Sequence, residues 1–242
     1  IVYVEKNGKE IFEKDEEDRQ EQPEASLTIQ KIVEFVDLAA IEDIRGPVRR
    51  QVDYNMAIAR RGLEESYGAQ VGQTLLSVYG NGVRNRAKAM AAAGSDARMS
   101  GCELPVVINS GSGNQGLTVS VPVAVYAEEY HKTQEELYRA LVVSNLTAIH
   151  QKTTIGKLSA FCGAVTAGAG AGAGIAWLLT QDFSTVAHTI VNALAIVSGI
   201  TCDGAKASCA AKIASAVDAG IMGFEMYRLN RQFYGGDGIV KK

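Results

Sequence analysis

The sequence contains no Cys-x-x-Cys pair, no long basic run and no uninterrupted Leu/Ile-rich stretch of membrane-spanning length. The first absence argues against a zinc ribbon or a ferredoxin-type cluster site, both of which use closely spaced thiols. The second removes the electrostatic footprint of a nucleic-acid-binding surface. The formal net charge is only −3, and no basic patch interleaves with aromatics, so no nucleic-acid partner is expected. The third bears on two strongly apolar stretches, residues 162–179 and 186–200. A spanning helix needs about 20 predominantly apolar residues with organised aromatic and basic flanks. The first stretch is mostly Gly and Ala, and the second contains His188 and Asn192. Both are expected to be buried core helices, with no membrane partner and with His188 a satisfied core histidine. No basic-then-apolar leader precedes a small-residue cleavage site. The chain opens on Ile1, which reads as the start of a processed form, a fragment or a cloned domain. Four cysteines in 242 residues, Cys102, Cys162, Cys202 and Cys209, are no disulfide scaffold. Reduced thiols in a cytoplasmic protein are the expectation.

What is present is ordinary globular material: 47% hydrophobic and 21% charged residues, enough for a large core. Residues 1–12 alternate in part, with Asn7-Gly8 between two short β-favouring runs, which predicts a β-hairpin. A charged loop follows over residues 14–24, so residues 1–24 read as the remnant of a larger N-terminal region. From residue 25 to 242 the pattern is that of one helical catalytic domain. Helical spacing starts at Leu27 and resumes from 41 to about 65, where Pro47 is expected to kink or split the helix. Further helices are predicted between Gly72 and Gly80, and over residues 83–93, 134–147, 175–179, 183–197 and 205–226. The fold class is predominantly α, with Gly/Ala-rich buried helices and a small N-terminal β-hairpin. The Gly/Ala run at 164–175 implies close approach: each glycine costs about 1 kcal/mol of helix stability against Ala. Gly168, Gly170, Gly172 and Gly174 therefore need a packing or ligand reason. The same helices could meet a partner subunit, so a homo-oligomer, or association with the remaining N-terminal region, is an open expectation.

Three stretches carry candidate chemistry. In SGCELPVVINSGSGNQG (residues 100–116), Gly111, Gly113 and Gly116 match a G-x-G-x-x-G pattern. A dinucleotide site would need a βαβ unit, and no parallel strand is predicted downstream. A Gly/Ser/Asn loop at a helix N-terminus also offers free N–H groups and a positive dipole end for a carboxylate or phosphate. Ser110, Ser112, Asn114 and Gln115 would add side-chain donors around Gly111 and Gly113. A plain tight turn remains the alternative. In HQKTTIGKLSAFCG (residues 150–163), His150, Lys152 and Lys157 precede Cys162, and a cationic neighbourhood favours thiolate, although by the residues alone Lys157 reads as a solvated loop lysine and each cysteine as a small buried residue. In ITCDGAKASCAAK (residues 200–212), Asp203-Gly204 signals a turn, Cys202 sits where a helix begins and Cys209 lies on it. Helix N-termini stabilise thiolates, and Lys206 and Lys212 add positive charge.

Taken together, SDARMSGCELPVVINSGSGNQG (95–116), GKLSAFCGA (156–164), CDGAKASCA (202–210) and RQVDYNMAIA (50–59) resemble the L-cysteine desulfidase family, which is related to the alpha chain of iron–sulfur-dependent L-serine dehydratase. The resemblance implies a lyase: α,β-elimination of L-cysteine or L-serine to pyruvate and ammonia, with sulfide or water released. It implies a [4Fe–4S] cluster held by Cys162, Cys202 and Cys209 with one open iron, and no role for pyridoxal phosphate. The loop of Ser110, Gly111, Ser112, Gly113, Asn114 and Gln115 would then hold the substrate carboxylate, with Cys102 near the site but not a ligand. The family's base looks to be a cysteine near the N-terminus of the full-length protein. None precedes Cys102 here, and Lys157 is the local substitute. The competing readings are a non-catalytic or apo fragment binding a small carboxylate through the 111–116 loop, and an NAD-dependent enzyme.

Overall fold

The structure is a computed structural model that describes residues 3–7, 9–13, 27–156 and 159–240. Ile1, Val2, Gly8, the charged segment 14–26, Lys157, Leu158 and the terminal Lys241 and Lys242 lie outside the described residues. Among the described residues there are nine helices: α1 (Ile29–Leu38), α2 (Ile41–Glu64), α3 (Val71–Tyr79), α4 (Val83–Met99), α5 (Gly113–Glu129), α6 (Gln134–Ile155), α7 (Gly163–Thr180), α8 (Phe183–Ile196) and α9 (Cys209–Arg228). The predominantly helical reading therefore stands. The expected hairpin gains no support as part of the fold. The backbone pairing of β1 (Tyr3–Lys6) with β2 (Lys9–Glu13) touches none of the helices, which carry the core alone.

Polar side chains set where several helices begin. Thr28 accepts from Lys31 N–H at 3.2 Å at the start of α1. Thr133 and Glu136 form a reciprocal capping box on α6, and Asp182 accepts from Thr185 N–H at 2.7 Å on α8. The start of α3 is capped from a distance: buried Asp96 on α4 accepts from Val71 N–H at 2.7 Å. Burial raises the Asp96 carboxyl above its ordinary value, and backbone N–H groups of α3 pull against that. Pro47 neither kinks nor splits α2, which runs unbroken from Ile41 to Glu64. It stands in the second turn of the helix, where its missing N–H removes the one intrahelical bond that would reach the Asp43 carbonyl.

α7 is the centre of the fold, and it begins at Gly163, twelve residues earlier than the predicted 175–179 helix. The glycines that argue against a helix locally are required by its neighbours. A Cβ on Gly168 would lie 2.5 Å from the Ala216 carbonyl oxygen, and one on Gly172 would lie 2.7 Å from that of Gly220. On another face, a Cβ on Gly170 would meet the Ser144 oxygen at 2.6 Å, and one on Gly174 the Ala140 oxygen at 2.9 Å. Two glycine stripes at i, i+4 spacing thus seat α7 against α9 and α6. α7 is the described helix long and apolar enough to cross a membrane, and 89% of it is buried inside the fold.

These contacts give the helix directions. Gly168 opposes Ala216 and Gly172 opposes Gly220, so α7 and α9 run parallel. Gln115 lies on Gly163 and Val123 on Gly174, so α5 is parallel to α7 as well. Gly170 meets Ala148 and Gly174 meets Ala140, so α6 is antiparallel. The N-termini of α5, α7 and α9 therefore face the same end of the molecule.

Candidate functional site

Where those three N-termini meet, a cleft of about 130 Å³ is lined by Ser112, Asn114 and Gln115 of α5, by Cys162 and Gly163 of α7, and by Cys202 and Cys209. Cysteines up to 47 positions apart in sequence are brought together by local pairing. Phe161 and Thr201 form an antiparallel bridge. Cys162 N–H donates to the Ile200 oxygen at 3.0 Å and Cys202 N–H to the Ala160 oxygen at 2.7 Å. Cys162 is the N-cap residue of α7 and is buried; Cys202 is exposed; Cys209 is half-buried and opens α9. The thiol of Cys209 donates to the Gly204 oxygen at 3.7 Å, and Lys206 N–H donates to its sulfur at 3.5 Å. All four cysteines are free thiols. The helix expected from 205 starts at Cys209, so Cys202 stands in a turn rather than at a helix start. Gly204 has a φ of +93° there, which glycine tolerates and which ends regular structure.

The electrostatics differ from the sequence expectation. Burial is the largest influence on Cys162 and pushes its thiol up, while the Ala164 N–H and Lys212 pull the other way. Lys152 does not line the cleft; it borders a separate open depression with Ser110 and Gly111. The cation at the cysteines is Lys212 of α9. It donates to the Thr201 oxygen at 3.1 Å and to Asp203. Its pairing with Asp203 raises its pKa, so it stays an ammonium, and the Asp203 carboxyl is lowered in return.

The glycine loop divides in the same way. Ser112 caps α5, accepting from Gln115 N–H at 3.4 Å, and with Asn114 and Gln115 it faces the cysteines. Ser110 and Gly111 turn away at positive φ, 47° and 79°. Gly113 is covered by Arg98: a Cβ there would meet Arg98 Nε at 2.4 Å, and Arg98 Nη1 donates to Asn114 Oδ1 at 3.2 Å. Gly116 allows the loop to close, since a Cβ would lie 1.9 Å from the Val107 oxygen. The amide of Gln115 lies flat on Gly163, with its Oε1 buried and without a partner. Among the described residues no parallel sheet leads into Gly111, so nothing supports the dinucleotide reading.

A buried amide network that sequence reading missed holds the loop. Asn55 of α2 accepts from Val107 N–H at 2.8 Å and donates to the Val107 oxygen at 3.2 Å and Ser120 Oγ at 2.9 Å. Gln51, one turn earlier, exchanges hydrogen bonds with Asn145 of α6 at 3.0 and 2.8 Å. Asn109 donates to Asn145 Oδ1 at 2.9 Å. The available signal was Gln51 and Asn55 at i, i+4 on the apolar face of α2. Arg98, inside the 95–116 motif, was missed as well. His188 stacks on Tyr227 at 4.6 Å between ring centroids and does not line the cleft; Cys102 does not line it either.

Comparison with known proteins adds the family. UPF0597 proteins of Desulfitobacterium hafniense, Lachnoclostridium phytofermentans and Treponema denticola are 60%, 53% and 48% identical over 245, 243 and 250 residues. Each alignment covers 100% of this chain but only 57%, 58% and 58% of the relative, so the chain spans a little over half their length. No solved structure matches. The sequence profile described as serine dehydratase alpha chain matches residues 7–242, and the chain belongs to that family.

Proposed function

We propose that this chain supplies the cluster-holding part of a cytoplasmic lyase that eliminates sulfide from L-cysteine, or water from L-serine, leaving pyruvate and ammonia. The observation that carries the reading is the convergence of Cys162, Cys202 and Cys209 with Ser112, Asn114 and Gln115 at three helix N-termini. Membership of the serine dehydratase alpha chain family points to lyase chemistry.

Among the described residues, no three His, Cys, Asp or Glu side chains are placed to hold one metal ion. The donor chemistry fits an iron–sulfur cluster: Cys162, Cys202 and Cys209 line one cleft as free thiols, and thiolate is the donor such clusters take. Burial holds the Cys162 thiol up against the pull of the Ala164 N–H and Lys212, so its proton would leave on binding the cluster. When bound, a [4Fe–4S] cluster with one iron free of protein thiolate supplies a Lewis acid for the departing sulfur or oxygen.

The protein's own groups do the rest. The substrate carboxylate sits at the N-terminus of α5, where Ser112 and Asn114 donate and Arg98 fixes Asn114 from behind. Gln115, which lines the same cleft, offers its amide to the substrate ammonium. Lys212 balances negative charge but remains protonated, so it does not take the α-proton. That role is assigned to Lys157, which has to lose its own proton first to take it. Loss of the α-proton and the β-substituent gives aminoacrylate, which hydrolyses to pyruvate and ammonia. No step requires pyridoxal phosphate.

The test is anaerobic reconstitution of the full-length protein with iron and sulfide, followed by a pyruvate assay on both amino acids. Pyruvate from either, abolished by Cys162→Ala and cut in kcat by Lys157→Gln, supports the proposal. A spectroscopically confirmed cluster with no pyruvate from either substrate overturns it and favours a carboxylate-binding role.

A further inference from the structure

A side-chain amide is ambiguous in a binding site: one end donates, the other accepts, and a half-turn of the amide exchanges them. Asn114 lines the cleft at the start of α5 and is only 8% exposed. Which end it presents decides what the α5 N-terminus can receive. The backbone N–H groups there favour an anion. An amide oxygen turned toward the same anion would oppose them.

The orientation is set by a residue outside the cleft. Arg98 stands at the C-terminal end of α4 and does not line the cleft. Its Nη1 donates to Asn114 Oδ1 at 3.2 Å. A guanidinium has five donors and no acceptor, so only the oxygen end of the amide can face it. Gly113 leaves room for the contact, since a Cβ there would displace the guanidinium. Nδ2 is turned away from Arg98. Among the described residues nothing accepts from it, yet it is not among the unpartnered atoms sealed from solvent. Asn114 thus keeps an accessible, unused donor beside the cleft.

We infer that Arg98 is a positioning residue: by occupying Oδ1 it holds Asn114 Nδ2 toward the cleft, and so restricts the substrate to free amino acids. An α-carboxylate only accepts, and it meets donors alone. An amino-acid amide or a peptide-linked residue brings an N–H to the same donor and leaves both unpaired. A site built for one hydrogen-bonding pattern rejects an analogue that strands its buried groups. Without Arg98 the amide turns freely, its oxygen accepts from a carboxamide N–H, and the selection is lost. The inference rests on the amino-acid seat proposed above and adds the substrate class which that seat admits.

The probes are L-alanine, which keeps the α-carboxylate but has no β-leaving group, and L-alaninamide, each titrated into the full-length protein by ligand-observed NMR. Neither can undergo the elimination, so a protein that makes no pyruvate still reports the preference. L-Alanine should bind about tenfold or more tightly than the amide. Arg98→Met should reduce that ratio to about threefold or less, and Arg98→Lys, whose ammonium likewise only donates, should restore most of it. A merely structural role would weaken both probes and leave their ratio unchanged. A double-variant cycle separates orientation from attraction by charge: with Asn114→Ala already in place, Arg98→Met should change L-alanine affinity less than about twofold. Should Arg98→Met fail to fold, Asn114→Asp decides the matter. It keeps an oxygen for Arg98 but replaces the donor with a second oxygen, and the preference should vanish or reverse. Absence of L-alanine binding, a ratio indifferent to Arg98→Met or Asn114→Asp, or an equal loss of affinity with and without Asn114 overturns the inference.

Discussion

Replacing Gly172 with alanine would set a methyl carbon 2.7 Å from the Gly220 carbonyl oxygen and 2.8 Å from its Cα. Both are backbone atoms of α9, so no side chain can rotate away, and α7 and α9 must separate by several tenths of an ångström. Overpacking of this kind costs about 1–3 kcal/mol, occasionally more. Against it stands the better helix propensity of alanine, worth about 1 kcal/mol. The net expectation is a loss of up to about 2 kcal/mol, or a fall in melting temperature of up to about 8 °C for a chain of this size. The protein contains its own control. Gly46 is also inside a helix and exposed, and a methyl added there would meet nothing within 4 Å beyond its chain neighbours, of which the Pro47 ring crowds it. Gly46→Ala should therefore gain at most the propensity and change the melting temperature by no more than about 4 °C. Thermal denaturation of the two variants beside the parent separates the explanations. If Gly172→Ala melts at or above Gly46→Ala, the glycine stripe is not a packing requirement and the reasoning fails.

Asp218 accepts from Arg84 through two bonds of 2.9 Å and from Lys88 at 3.0 Å. Burial works against its charge, but the two cations prevail and hold its carboxyl below the ordinary 3.8. Its contribution is thus present above about pH 4 and is lost as pH falls through the lowered value. Asp218→Asn should cost roughly 1–3 kcal/mol near neutrality, and melting curves of variant and parent should converge as pH falls below the ordinary 3.8. The capping box behaves likewise: Thr133 N–H, its hydroxyl and Lys132 bring Glu136 from 4.5 down to about 2. Thr133→Ala should cost about 1 kcal/mol, and an NMR titration should show the Glu136 midpoint rising from about 2 toward 4.5. Asn55→Leu strands the N–H and oxygen of Val107 and should cost roughly 2–4 kcal/mol. It should also raise KM in the pyruvate assay, because the loop ahead of α5 loses its tether; an unchanged KM would show that Asn55 supports only stability.

The helical class was legible in the sequence because periodicity is a local signal, and the three motifs were legible because their residue order is unusual. The start of α7 was not, since the Gly/Ala run at 164–175 has no amphipathic face and poor propensity. Tertiary contact with α6 and α9 overrides that propensity. The start of α9 was placed four residues early because Ala205 and Lys206 are good helix formers, while the turn at Gly204 and the hydrogen bonds to Cys209 delay the helix. The Phe161–Thr201 bridge joins segments 40 positions apart, and no periodicity announces it. Lys152 and His150 looked like the cations of Cys162 because they are near in sequence. The cation that acts is Lys212, 50 positions away.

The glycines therefore have a double consequence, reached through geometry rather than contact with a ligand. Gly168 and Gly172 let α7 lie backbone to backbone on α9, and that close parallel packing puts Cys162 and Cys209 at the same end. Gly163 lets the Gln115 amide lie on α7, which brings the N-terminus of α5 to the same place. Parallel neighbours align their dipoles unfavourably, and antiparallel packing would avoid that cost. Three parallel helices are retained where the positive ends gather around thiols and a carboxylate-sized cleft, which turns the repulsion into attraction for anions. Antiparallel α6 and α8 pack against this trio, α6 along α7 and α8 along α9 through Gly223 and the His188–Tyr227 stack. The small-residue stripes are thus a requirement of the site as well as of the core, and a substitution in them far from any cysteine should disturb both together.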